Sequence, residues 1–225
     1  LKKEGIDVIS HHEQLDEKQA AFVDDYFETN VYPVVTPMAV DSSRPFPLIR
    51  NKSLNIAALL KKKKGVDKKD GDKKENEKKD GEKKDGEKKG ALEFATVQEP
   101  AVLPRIVELP KGKDGTRSVI LLEEIIERNM GRLFLNYEIV CAHPYRIMRN
   151  ADLPIDEEEA EDLLKEIERQ LKRRQWGEVI RLEVEEGIDK RLLKILKKEF
   201  AIKDDVIFFI GGPLDLTFLM KLYGE

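Results

Sequence analysis

The chain has one cysteine, three histidines and one tryptophan in 225 residues. A lone Cys141 closes no internal disulfide, which points to a reducing, cytoplasmic setting. One cysteine and three scattered histidines give no zinc-type ligand spacing, so no metal site is expected. No stretch reaches the roughly 18 consecutive apolar residues of a membrane-spanning helix. The start lacks the basic-then-apolar pattern of a secretory leader. Phosphate-cradling glycine loops of the P-loop or Rossmann type are missing, as are G-x-S-x-G and H-E-x-x-H. Gly211-Gly212-Pro213, after the apolar run "VIFFI", reads only as a turn. The first residue, Leu1, is not methionine, which suggests a piece of a longer polypeptide.

Charge is abundant: 38% of residues are charged, for a net −4. That average hides a split. Residues 61–90 hold 14 lysines and 9 acids, while the remainder carries 27 basic and 36 acidic residues. A nucleic-acid binder would carry its excess positive charge on the folded body, so no nucleic-acid partner is expected. From Lys68 the segment repeats every five residues as KKDGD, KKENE, KKDGE, KKDGE, and its only apolar side chain is Val66. It has too little apolar surface to offset backbone ordering. We read residues 61–91 as a disordered insertion, rich in Lys, Asp, Gly and Glu, in the loop of a β-hairpin. Its flanks "SLNIAALL" and "LEFATVQ" form the two strands. Loop lengthening costs only roughly 0.6 kcal/mol per doubling.

Helical spacing places Leu15, Gln19, Phe22, Tyr26 and Phe27 near one face of a helix over 15–29, with Asp16 as N-cap. A second helix is expected over Leu121–Met130, ending near Gly131. The longest begins at Asp156. Glu157, Glu158 and Glu159 stand in its first turn, Lys172, Arg173 and Arg174 at its end, and Ala160, Leu163, Leu164, Ile167 and Leu171 form its buried stripe. A fourth is capped by Asp189, and a short fifth runs from Leu214 toward Leu222. Strands are expected at 54–60, 93–99, 105–109, 138–149, 178–184 and 206–210. In "VIRLEVE", alternation puts Ile180, Leu182 and Val184 on one face and Arg181 and Glu183 on the other. Pro33, Pro37, Pro45 and Pro47 forbid a long regular element in "VYPVVTPMAVDSSRPFP", which reads as a packed irregular crossing. Hairpin-like strands followed by alternating helix and strand predict a single α+β domain. Its sheet is mixed and largely antiparallel, with helices packed against it.

Candidate chemistry is sparse. "CAHPYRIMRNADL" (141–153) gathers a histidine and two arginines, types suited to phosphoryl transfer and phosphate binding. A nucleophilic His143 needs an orienting partner and charge stabilisers, and its sequence neighbours supply neither. It is read as part of a strand, with Tyr145 and Ile147 on one side and Arg146 and Met148 on the other. The acidic run Asp156–Asp162 reads as a capped helix start rather than a metal site. His11 and His12 diverge as adjacent side chains. Trp176 and Cys141 are read as packing residues.

Several stretches together resemble bacterial polyphosphate kinase of the histidine-phosphorylated class. "VYPVVTPMAVDSSRPFPLIRNKSLN" is similar to that family's I-x-P-V-L-T-P-x-x-x-D-x-x-x-P-F-P followed by S-L-N. "FATVQEPAVLPRIVELP" resembles its F-A-x-V-x-x-P-x-x-L-P-R-F-V-x-L-P. "YRIMRNADL" is similar to F-R-x-T-R-N-A-D-L, with Met148 where the family often has Thr. "VIRLEVE" and "GGPLDLTFL" match two further segments. The matches run in family order from about residue 5 to 222.

The resemblance is to the middle, or head, domain, here 1–225. It implies that an N-terminal helical domain and two C-terminal catalytic, phospholipase-D-like domains are absent. The family's phosphorylated histidine lies in a His-His-Pro-Tyr motif downstream of the G-P-L-D-L-T segment. "AHPY" at 142–145 imitates it upstream of R-N-A-D-L, so no catalytic residue is carried over. For the whole enzyme the resemblance implies transfer of the ATP terminal phosphate through phosphohistidine to polyphosphate, with magnesium. This chain alone is expected to be inactive and to hold no cofactor. It also implies a homodimer, packing against the other domains of the same polypeptide, and a cytoplasmic protein that can sit peripherally on the inner membrane. Arg105, Arg146, Arg149 and Arg181 match motif arginines and are the candidates for residues near polyphosphate. Pairing with carboxylates such as Asp152 or Glu183 is their alternative role. A polyanion-binding module acting through the lysine-rich segment is the alternative function.

Overall fold

The computed structural model describes residues 5–40, 45–63, 92–111, 117–150 and 177–222. The long helix expected from Asp156, Trp176, Asp152 and nearly all of the lysine-rich insertion lie outside them.

Among the described residues, nine strands form two sheets. The small sheet has order β1 (Ile6–Ile9), β6 (Arg117–Leu121), β5 (Ile106–Glu108). The large sheet runs β2 (Pro37–Val40), β4 (Leu92–Gln98), β3 (Leu54–Lys62), β7 (Tyr137–Arg149), β8 (Val179–Glu185), β9 (Ile207–Ile210). Only β1–β6 and β8–β9 pair in parallel. The fold is therefore α+β with a mixed, largely antiparallel sheet, as the sequence predicts.

β3 and β4 form the expected hairpin, with Lys61 paired to Leu92. Lys61 and Lys62 also pair with Glu138 and Tyr137. The insertion thus starts later than 61, because the strand ladder continues into the first lysines. β3 is buried on both faces. Ile56, Ala58 and Leu60 enter one core with Phe27, Ile125 and Ile126. Ala57 and Leu59 enter a second core with Tyr145, Leu182, Leu192 and Leu196. A strand between two cores reads as a continuous apolar run rather than an alternation, hence "LNIAALL". One buried polar contact joins the large sheet's inner strands: Thr96 Oγ1 and Tyr145 Oη lie 3.0 Å apart.

Helices cover both faces. α1 (Glu17–Tyr26) starts with a capping box, in which Asp16 accepts from the Gln19 amide and the Gln19 side chain accepts from the Asp16 amide. A π-turn, Phe27–Val31, continues it. α2 (Leu122–Arg128) and α3 (Met130–Leu133) follow β6, broken at Asn129. Helix therefore resumes through Gly131 rather than ending there. Arg128 grips Asp24 with both carboxylate oxygens, at 2.9 and 3.2 Å, tying α2 to α1. α4 (Lys190–Phe200), capped by Asp189, covers the second core, and α5 (Leu219–Leu222) closes the described chain.

Three strands escape the sequence reading. β1 and β2 are four residues long, too short for a period to register, and β2 forms despite its leading Pro37 as an edge strand, where proline is tolerated. β6 was hidden because "SVIL" runs without a break into the apolar α2. The alternation expected in β8 holds for Leu182 and Val184, which share one core, but fails at Ile180. Met148 pairs with Arg181 but Arg149 with Val179, so Ile180 is an extra, bulged residue. Val179 is buried in its place and Ile180 is exposed. Accordingly, Ile56→Ala should cost about 2–5 kcal/mol of stability and Ile180→Ala should stay within about 0.5 kcal/mol, as denaturant titration would show.

Candidate functional site

Pro144 stands one residue beyond the β8 ladder, which ends at Tyr145–Val184. A strand proline is best placed where only one neighbour needs a donor. This leaves His143 at the rim of the sheet, beside the end of β8. The loop after β9, Gly211–Leu216, crosses the same rim and separates two clefts.

The first cleft, of about 580 Å³, lies between the sheets. Its walls are Ser10–Glu13, α2, His143–Pro144, Glu185–Gly187 and the loop Ile210–Leu214. All three histidines of the chain meet here. His143 Nδ1 is 3.0 Å from Glu185 Oε2, and His11 Nδ1 is 3.9 Å from Glu185 Oε1. Glu124 Oε2 accepts the His12 amide at 3.0 Å and lies 3.4 Å from His12 Nδ1. Among the described residues, no lysine or arginine lines it. Among the described residues, no three His, Cys, Asp or Glu side chains converge as metal ligands.

The hydrogen bond from His143 holds the Glu185 carboxyl below its ordinary range, against the effect of burial. Glu127 is pushed the other way, up to about 9, by burial and then by Glu124, Glu185, Glu13 and Glu123. It therefore keeps its proton at neutral pH. His143 does have an orienting carboxylate, which the sequence did not disclose because β8 supplies it from 42 residues away. Among the described residues lining the cleft it has no lysine or arginine to hold a phosphoryl group, and carboxyl groups stand beside it instead.

The second cleft, of about 540 Å³, is lined by Arg146, Glu183, Asp215 and Leu216 on the other side of the loop. Here three of the four candidate arginines join one network. Arg105 grips Glu123 through Nε at 3.1 Å and Nη2 at 2.5 Å. It also donates to the carbonyls of Leu214 and Asp215, and its guanidinium lies 5.1 Å from the Phe218 ring centroid. Arg146 reaches Glu183 and Asp215, both at 3.3 Å, and donates to the Lys52 carbonyl at 3.1 Å. Arg181 donates to Glu183 at 2.7 Å and covers the Phe208 ring at 3.9 Å. Arg149 stands apart, donating to the carbonyls of Ile49 at 3.3 Å and Gly177 at 2.8 Å. Only Arg181 has a side chain more than a third exposed among the three networked arginines.

Asp215 sits at φ 55, a left-handed conformation unusual outside glycine, and caps the turn Leu216–Phe218 through the Thr217 amide. Burial alone would raise its carboxyl. The Thr217 hydrogen bonds and the charges of Arg146 and Arg105 outweigh that and hold it low. Glu99, 3.9 Å from Arg105, is raised to about 8 by burial and by Glu123, with Arg105 only partly opposing. Sequence reasoning missed Glu99, Glu123, Glu127, Glu185 and Asp215. The one signal that was available is "LLEEIIER", three acids embedded in an otherwise apolar helix.

Glu99 and Glu127 bind protons more tightly in the fold than in the unfolded chain. Their contribution is full below about pH 4.5 and is lost as pH rises toward 8 and 9, respectively. Glu127→Gln should therefore match the parent chain near pH 4.5 and exceed its stability at pH 8. Each group accounts for up to about 1.4 kcal/mol per pH unit in that window. Chemical unfolding at the two pH values checks this.

A family model for the polyphosphate kinase middle domain matches residues 18–222. The chain is 43% identical over its full length to a polyphosphate kinase of Exiguobacterium sibiricum and covers 28% of that protein. It is 33% identical over 99% of its length to one from Streptomyces coelicolor, covering 26%. The crystal structure of polyphosphate kinase from Porphyromonas gingivalis superposes with a TM-score of 0.67 at 20% identity, over 98% of this chain and 28% of that one. The chain thus spans little more than a quarter of the length of these relatives. With the family model matched from α1 through the large sheet and the loop between the clefts, the chain belongs to the polyphosphate kinase middle-domain family.

Proposed function

We propose that residues 1–225 act as the non-catalytic middle domain of a bacterial polyphosphate kinase, a folding, dimer-forming and positioning module. The complete polypeptide passes the terminal phosphate of ATP, with magnesium, to a histidine outside this chain and then to polyphosphate, in a cytoplasmic setting. Further domains of the same polypeptide, one helical and two catalytic, are its partners. The observation that carries this reading is where the motif arginines direct their donors. Arg105 and Arg146 give them to Glu123, Glu183, Asp215 and backbone carbonyls, so they shape the Gly211–Leu216 loop rather than wait for a substrate. Arg181 is the arginine of that network best placed to stand near a phosphate chain, because it is the most exposed. Arg149 holds the Pro-rich crossing and the start of β8 in place.

His143 faces carboxylates, which repel a phosphoryl donor. The chain incubated with magnesium and ATP labelled at the terminal phosphate should therefore acquire no acid-labile label. Label that disappears in His143→Ala would overturn the scaffold reading.

A further inference from the structure

The cleft between the sheets has a charge problem that the scaffold role does not explain. Six glutamates line it: Glu13, Glu123, Glu124, Glu127, Glu185 and Glu186. Arg105 neutralises Glu123 from outside the cleft, and Glu127 keeps its proton at neutral pH. Among the described lining residues, the other four have only the three imidazoles as basic partners. These four come from both sides of the seam: Glu13 and Glu124 from the segment after β1 and from α2, Glu185 and Glu186 from the end of β8. The loop Ile210–Leu214 contributes no charge to the lining.

The imidazoles are distributed to match. His12 belongs to the small-sheet side and meets Glu13 at 3.6 Å and Glu124 at 3.4 Å. Its Nδ1 is buried without a hydrogen-bond partner. His143 belongs to the large sheet and meets Glu185 at 3.0 Å. His11 crosses the seam to the other oxygen of Glu185. Histidine is the residue type that ordinarily changes charge between about pH 5 and 8.

We propose that these three histidines form a proton-sensitive latch on the seam between the two sheets. Charged imidazoles offset the carboxylates and hold the Ser10–Gln14 bridge down. Losing those charges leaves like-charged walls facing each other, and the bridge opens locally. The sign follows from the groups named: the latch tightens as pH falls and loosens as pH rises. Glu127, pushed up to about 9, keeps its proton through neutrality. Its contribution is separable on that basis.

Hydrogen exchange on the intact protein tests this, after correction for the intrinsic pH dependence of amide exchange. Between pH 6 and pH 8, protection of Ser10–Gln14 should fall about tenfold more than protection of β3, which serves as internal reference. In the variant combining His11→Asn, His12→Asn and His143→Asn that extra fall should vanish. If that variant does not fold, Glu124→Gln with Glu185→Gln removes the opposing charges and should flatten the same profile. An extra fall that persists in the folded variant, or none in the parent protein, overturns the latch.

Discussion

The guanidinium of Arg105 is the point on which the rim of this domain depends. Its donors serve one carboxylate of α2 and two carbonyls of the loop after β9, and its own carbonyl accepts the Leu122 amide at the start of α2. Three segments separated by up to 110 residues in sequence therefore meet at one side chain. Only arginine supplies enough donors in a planar fork to do this. Lysine would offer one point charge and leave carbonyls unserved. Around it, burial and the neighbouring Glu123 keep the Glu99 carboxyl protonated near neutrality, with Arg105 at 3.9 Å only partly opposing them.

From that node the architecture divides the rim in two. On one side, Asp215 hands the network to Arg146, then to Glu183 and Arg181, ending in the stack on Phe208. This chain of alternating charges is internally paired and largely buried up to its exposed end at Arg181, a description that fits a structural brace. On the other side lies the histidine–carboxylate cleft, where glutamates accumulate without a lysine or arginine among the described lining residues. The Gly211–Leu216 loop separates the two, and an Asp at positive φ is tolerated there because arginines hold it from both directions. Beneath, β3 supplies rigidity by being buried on both faces.

Much of this was legible in the sequence where physics is local. The Asp16 and Asp189 caps, the β3–β4 hairpin around the lysine-rich stretch, and the shared face of Tyr145 and Ile147 follow from period and capping rules. Glu183 as partner for Arg146 and Arg181 was also foreseen as one role of these arginines. What the sequence concealed was non-local. The bulge at Ile180 cannot be seen without the partner strand, because an alternating segment gives no hint of which residue will be extruded. β1 becomes a strand only by pairing with β6, more than 100 residues on. The convergence of His11, His12 and His143 on one cleft depends on the small sheet folding against the large one. No spacing rule relates positions 12 and 143.

The most direct test of the central claim is a double-mutant cycle on Arg105 and Glu123, using Arg105→Met, Glu123→Gln and the pair, read out as unfolding free energy. A buried charge left without its partner costs about 3–5 kcal/mol, much of which is recovered when both are removed. The account therefore predicts that Arg105→Met alone is severely destabilising and that adding Glu123→Gln restores a substantial part of the loss. Strictly additive effects, or an Arg105→Met variant as stable as the parent chain, would contradict the role assigned to this side chain.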